Sequence, residues 1–336
     1  MKGTLLSAED WHYLLRMKSL DDVMRYLGGT TYASAISNLG GASHDAGTVV
    51  PVLYGELFRD YRRLMGSLPT RGSELLRGLL SRYEAENLKT ILRGLWQGRS
   101  SSEIRMVLYE MGALSRLPVE AILRLRDVTA AVEILHPTHF HTALVHALPQ
   151  FHAQGSLFPL EMAIDRATFD YIRESLKDVR GIDQRWAKVL LDEMIDGVNL
   201  SWLVRFRHFY GLSPEEAINC TLRGGHLLNL RDLGRLARAA DLPTFIELLP
   251  LPYREVLRYA ERWEQMRTLF EKRYIGELLR AFRKDPFQVG LPMSYLLLKE
   301  IEVKSLERLL SALQMKATAE SLIEWISLPV EGGMRV

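Results

Sequence analysis

Cysteine occurs once, at Cys220. A single thiol excludes an internal disulfide framework and any multi-cysteine zinc or iron–sulfur centre. It suits a reduced, cytoplasmic compartment. Long apolar runs are missing too. The longest, such as Tyr295–Leu298, span a few residues, against the ~18 that a membrane span needs. Any membrane role is therefore peripheral. The opening Met-Lys-Gly-Thr-Leu-Leu-Ser has no apolar h-region and soon carries Glu9 and Asp10, which predicts no secretory leader. Charge of one sign is missing as well. The 43 basic and 41 acidic side chains leave a net +2, too little to draw in nucleic acid through a global field. With 24 glycines and 13 prolines, the chain is neither fibrous nor of low complexity. It holds no Gly-x-x-x-x-Gly-Lys-Ser/Thr phosphate loop, no His-Glu-x-x-His and no Gly-x-Ser-x-Gly. These absences argue against nucleotide hydrolysis and against the commonest hydrolase designs. Sustained period-two alternation is also lacking. The β-like Val49-Val50-Pro51-Val52-Leu53 carries a proline that argues against a central strand.

What is present is helical periodicity over 336 residues, a length that suits two or three domains. Leu57, Tyr61, Leu64 and Leu68 form one apolar stripe; Leu75, Leu79, Tyr83, Leu88, Leu92 and Leu95 form another. The clearest runs from Arg254 to Arg283, through Val256, Leu257, Ala260, Trp263, Met266, Phe270, Tyr274 and Leu278. Spacings of three and four put such residues on one helix face. Capping boxes are expected at Ser7 with Asp10, Ser100 with Glu103, and Ser213 with Glu216, the last with Pro214 at the first helical position. Gly98, Gly211 and the Gly224-Gly225 pair read as helix stops. The fold class is all-α, with no sheet.

An internal repeat organises these helices. Glu84-Ala85-Glu86-Asn87-Leu88, with Arg93, aligns with Asp196-Gly197-Val198-Asn199-Leu200, with Arg205. A weaker third copy, Glu302-Val303-Lys304-Ser305-Leu306, has serine in place of asparagine. The anchors Asn87, Asn199 and Ser305 are 112 and 106 residues apart. Three helical repeat domains are expected, at 1–118, 119–228 and 229–336. The acid and the asparagine are three residues apart and share a helix face, as does the leucine after them. Glu84, Asn87, Leu88, Arg93, Asp196, Asn199, Leu200, Arg205, Glu302 and Leu306 are therefore the expected structural signature. Its polar members should cap or pair with a neighbouring helix, and its arginines should reach another segment.

Two features invite a chemical reading. His136, His139, His141, His146 and His152 cluster within seventeen residues, and His-x-x-His-x-His suits zinc. Pro137 and Pro149 instead favour an inter-helix connection with solvated or interface-lining histidines. Asp192-Glu193-Met194-Ile195-Asp196 resembles the magnesium-binding start of all-α terpene synthases, yet the second metal motif is missing and Asp196 belongs to the repeat. The segment from Trp202 to Tyr210 interleaves aromatics with arginine, as a base-stacking platform would. The helical spacing of Trp202, Phe206, Phe209 and Tyr210 places them in the core instead.

At the repeat signature the chain resembles the C subunit of V/A-type ATP synthases, the family that includes the d subunit of vacuolar ATPases. The matching residues are Tyr83–Lys89 with Leu92-Arg93, Ile195-Asp196 with Asn199-Leu200 and Arg205, Gly224-Gly225 with Leu227, and Tyr295–Val303 with Leu306. Arg16-Met17-Lys18 and Gly28–Tyr32 fit as well. The resemblance implies three similar helical domains arranged as a funnel. It implies a non-catalytic, peripheral subunit at the cytoplasmic face of the membrane, joining the proteolipid rotor ring to the D and F subunits of the central stalk. ATP hydrolysis or synthesis would thereby be linked to H+ or Na+ transport. It implies no cofactor and no catalytic residue. The family opens with an extra helix ahead of its Leu-Leu-Ser region, and here Leu5-Leu6-Ser7 stands almost at the start. The rival readings are a soluble all-α adaptor and an all-α metal-dependent enzyme.

Overall fold

The computed structural model describes residues 2–37, 39, 45–283 and 289–316. Their regular elements are all helices, and no strand occurs among them. The helices follow a recurring order. Short α1 (Ala8–Leu14), α2 (Leu20–Leu27) and α3 (Ala33–Ser37) lead into long α4 (Ala46–Ser67) and α5 (Thr70–Trp96). Short α6 (Ser101–Arg105), α7 (Val119–Ile122) and α8 (Val128–Ile134) precede α9 (His141–Gln154), α10 (Phe158–Lys177) and α11 (Gly181–Val204). Short α12 (Pro214–Asn219), α13 (Leu230–Ala237) and α14 (Leu242–Glu247) precede α15 (Leu251–Leu257), α16 (Gln265–Arg280) and α17 (Gly290–Gln314). The acid–asparagine signature and its weaker copy lie on α5, α11 and α17, the last long helix of each run.

Local chemistry starts these helices where the sequence predicts. Ser7, Ser100 and Ser213 each accept the N3 amide, and Asp10, Glu103 and Glu216 each accept the cap amide in return. Such reciprocal caps satisfy two otherwise orphaned donors. Asn229 with Asp232 forms a fourth box, at α13. Val49, Leu53, Leu57 and Tyr61 recur every four residues along α4 and are fully buried. Helical burial thus overrides the β-like composition around Pro51.

Among the described residues, the chain up to Leu57 and from Gly181 onward forms one compact unit, and Phe58–Arg180 forms another. In the second unit α5 packs along α10. Gly78 permits the approach: a Cβ there would sit 2.5 Å from Ser175 Oγ and 3.2 Å from the Ile172 Cα. Leu88, Ile91, Leu92, Val132, Leu135, Phe140, Leu144 and Ile164 fill its core. In the first unit α11 packs on α16, with Gly197 under the Phe270 ring.

The structure departs from the expected helices in three places. The stripe from Arg254 to Arg283 is not one helix. α15 ends at Leu257 and α16 starts at Gln265. Between them Trp263 turns to stack on His208, with ring centroids 3.7 Å apart, and meets Phe245 edge-on. The Gln265 side chain accepts the amides of Glu261 and Arg262. Pro149 lies inside α9 rather than in a connection. Finally, Phe209 and Tyr210 are exposed, while Trp202 and Phe206 are core. A π-helical turn over Arg205–Phe209 follows α11 and swings the last two aromatics outward.

Candidate functional site

The signature residues act on main chain. On α5, Asn87 Nδ2 donates to the Tyr109 carbonyl at 2.9 Å, and the Tyr109 amide donates to Asn87 Oδ1 at 2.8 Å. One turn earlier the Glu84 carboxylate accepts the Arg116 amide at 2.5 Å. On α11 the same arrangement recurs. Asn199 Nδ2 donates to the Leu222 carbonyl at 3.1 Å and Asn199 Oδ1 accepts the Leu222 amide at 2.7 Å. Asp196 Oδ2 accepts the His226 amide at 3.0 Å, the Leu227 amide at 2.7 Å and the Tyr253 hydroxyl at 2.6 Å. The acid and the amide thus form a two-point clamp on a segment 22 to 32 residues further along the chain. Burial raises both carboxyl pKa values, and the donated hydrogen bonds partly offset the rise. Leu88, Leu200 and Leu306 are buried beside their clamps.

The two arginines differ. Arg93 meets Glu161 of α10 at 2.5 Å, and this ion pair raises its pKa further. Arg205 is exposed, with its guanidinium 5.8 Å from the Phe206 ring centroid. The segment-reaching role falls to its neighbour Arg207, which donates from Nε to the Ala237 carbonyl at 2.7 Å and from Nη1 to the Leu212 carbonyl. Two partners carried no signal in the repeat. Tyr253 lies outside every copy of the signature, and Lys89 spans Glu86 and Asp165 at 2.8 and 2.9 Å across α5 and α10.

The carboxylates of Asp192, Glu193 and Asp196 do not converge. Asp192 pairs with Lys188, Glu193 is buried against Arg273, and Asp196 holds main chain. The histidines disperse as well. His141, His146 and His152 lie on α9, and the His136 and His141 rings are 5.0 Å apart. His139 is half-buried, stacked on Tyr171 at 4.2 Å. No group of three metal-ligating side chains occurs among the described residues.

Burial, aided by the nearby Arg116 charge, lowers the His139 pKa to about 4. The unfolded chain then takes up a proton near pH 6.5 that the folded chain refuses until about 4. The neutral ring's full contribution is therefore present above pH 6.5 and is lost as pH falls from 6.5 to 4. We expect about 2–3 kcal/mol of destabilisation across that window. His139→Phe should flatten it, as read from urea midpoints at pH 7 and pH 4.5.

The sequence pattern of the ATP synthase (C/AC39) subunit family matches residues 1–321. Among curated relatives, the C subunit of the A-type ATP synthase of Halorubrum lacusprofundi is 25% identical, with 96% of this chain and 92% of the relative covered. The protein of the same name from Archaeoglobus fulgidus is 24% identical, covering 91% and 87%. That of Methanocaldococcus jannaschii is 24% identical, covering 88% and 76%. No described helix is long and apolar enough to cross a membrane. With the pattern matched over nearly its whole length, the chain belongs to the ATP synthase (C/AC39) subunit family.

Proposed function

We propose that this protein is a non-catalytic subunit of a rotary ATPase that joins the central stalk to the proteolipid ring at the cytoplasmic face of the membrane. The family match over residues 1–321 carries this reading. The protein passes torque between ATP chemistry elsewhere in the complex and H+ or Na+ movement through the membrane sector. Its partners are the ring and the D and F subunits of the stalk, and its contact with the membrane runs through them. The three-domain organisation, at 1–118, 119–228 and 229–336, belongs to the same reading. The recurring order of short helices, long helices and a signature helix supports it. The clamps suit a mechanical part, because each fixes an irregular segment to a rigid helix through main-chain bonds. Exposed Trp96, Met106 and Val107 near the junction of α5 and α6, and Phe209 and Tyr210 after α11, offer apolar contacts to partners.

The test mixes the full chain with detergent-solubilised ring and, separately, with the stalk pair, and reads co-migration at low salt. A stable complex with each is expected. Binding to neither overturns the assignment.

A further inference from the structure

Two signature helices hold segments that follow them closely along the chain. The third, α17, holds a segment 296 residues away. Glu302 stands where Glu84 and Asp196 stand in their copies. Its Oε2 accepts the Leu6 amide at 2.6 Å, and its Oε1 accepts the Tyr32 hydroxyl at 2.8 Å. Thr4 Oγ1 meets the Tyr295 hydroxyl at 2.9 Å. The held point also has the same place in the order of helices. Leu6 lies just ahead of α1 and its Ser7–Asp10 capping box, as Leu227 lies just ahead of α13 and its Asn229–Asp232 box and Arg116 just ahead of α7. Leu6 therefore occupies, on α17, the place that Arg116 occupies on α5 and Leu227 on α11.

We propose that residues 4–32 form a strap which completes the third repeat from the opposite end of the chain, and that this strap opens before either of the other two clamped segments. Two differences at the clamp make it the weakest. Asn87 and Asn199 each grip an amide and a carbonyl together, whereas Ser305 turns back onto the Ile301 carbonyl of its own helix. One of the two points of attachment is absent. The charge balance differs as well. Asp196 is satisfied by two amides and a hydroxyl, so losing its segment leaves a buried carboxylate without those donors. Glu302 keeps Lys299 at 2.8 Å from its own helix whether or not the strap is in place. Lys299 is itself 3% exposed, and its ammonium lies 3.9 Å from the Tyr32 ring centroid. Release of the strap thus leaves an intact ion pair rather than a stranded charge.

Native-state amide exchange on the full chain tests this, because it reads local opening segment by segment. In the wild-type protein, residues 5–32 should exchange at least about tenfold faster than the clamped amides of residues 109–117 and 222–228. Glu302→Gln keeps the shape and weakens the acceptor. It should speed exchange in residues 5–32 and leave 109–117 and 222–228 unchanged, while Lys304→Gln, at a half-exposed neighbour, should move neither. Equal or slower exchange of residues 5–32 in the wild type overturns the order of opening, and needs no variant to fold. A Glu302→Gln response spread evenly over all three segments overturns the strap.

Discussion

Asp196→Ala should lower the melting temperature by about 6–12 °C, the shift expected for a loss of at least about 3 kcal/mol in a unit of this size. Its carboxylate is fully buried, and three donors converge on one oxygen: the His226 and Leu227 amides and the Tyr253 hydroxyl. Alanine leaves all three without an acceptor in a site that excludes water, at about 1–3 kcal/mol for each buried group left unsatisfied. Asp196→Asn retains one acceptor oxygen and should cost roughly half as much. Glu84→Ala should be the milder counterpart, because a single main-chain amide, that of Arg116, donates to Glu84. Scanning calorimetry of the three variants beside the wild type gives the order. An unchanged melting temperature in Asp196→Ala would falsify the clamp as a source of stability.

Gly225→Ala should be of comparable severity, at about 3 kcal/mol or more, for two independent reasons. The backbone at Gly225 has φ +148°, a conformation that L side chains rarely adopt. The space is also taken. A Cβ would fall 2.1 Å from Asp196 Oδ1 and 2.7 Å from the Leu228 carbonyl oxygen. Relieving that overlap means moving the carboxylate that holds Leu227, so the substitution attacks the same clamp from the other side. Gly98→Ala is the matched control. Its φ is +68° but nothing lies within 4 Å of its would-be Cβ, which leaves a backbone cost of about 1–2 kcal/mol. Because Gly225 and Asp196 share one clamp, the double variant should cost little more than the worse single one. Full additivity in urea denaturation would show that the two side chains act separately.

Much of this architecture was legible because its signals are local. A serine with an acid three residues on, just ahead of an apolar-periodic run, signals a capped start, and Ser7, Ser100 and Ser213 all cap helices. The acid–asparagine spacing implied one helix face turned to a neighbouring helix, whereas the groups it holds are main chain between helices. Which segment was not legible, since hydrogen bonds to main chain leave no residue pattern at the receiving end. Tyr109 and Leu222 have nothing in common except their backbones. The same reason hid the strap: nothing in Leu6 marks it as a partner of Glu302. The long stripe from Arg254 failed for the opposite reason. Its periodicity continues through Ala260 and Trp263, but the helix stops at Leu257 and Trp263 stacks on His208, a tertiary contact that periodicity does not register. Likewise Phe209 and Tyr210 keep helical spacing on paper, and the π-turn over Arg205–Phe209 changes the phase.

The clamps also bear on how far such a chain can drift. An asparagine that grips an amide and a carbonyl is indifferent to the side chain between them, so Tyr109 and Leu222 are interchangeable as far as their clamps are concerned. Most substitutions in a segment held this way, proline apart, leave its path intact, provided that the few gripping residues on the long helices remain. A chain built on that plan can change most of the side chains in its held segments and keep the same course.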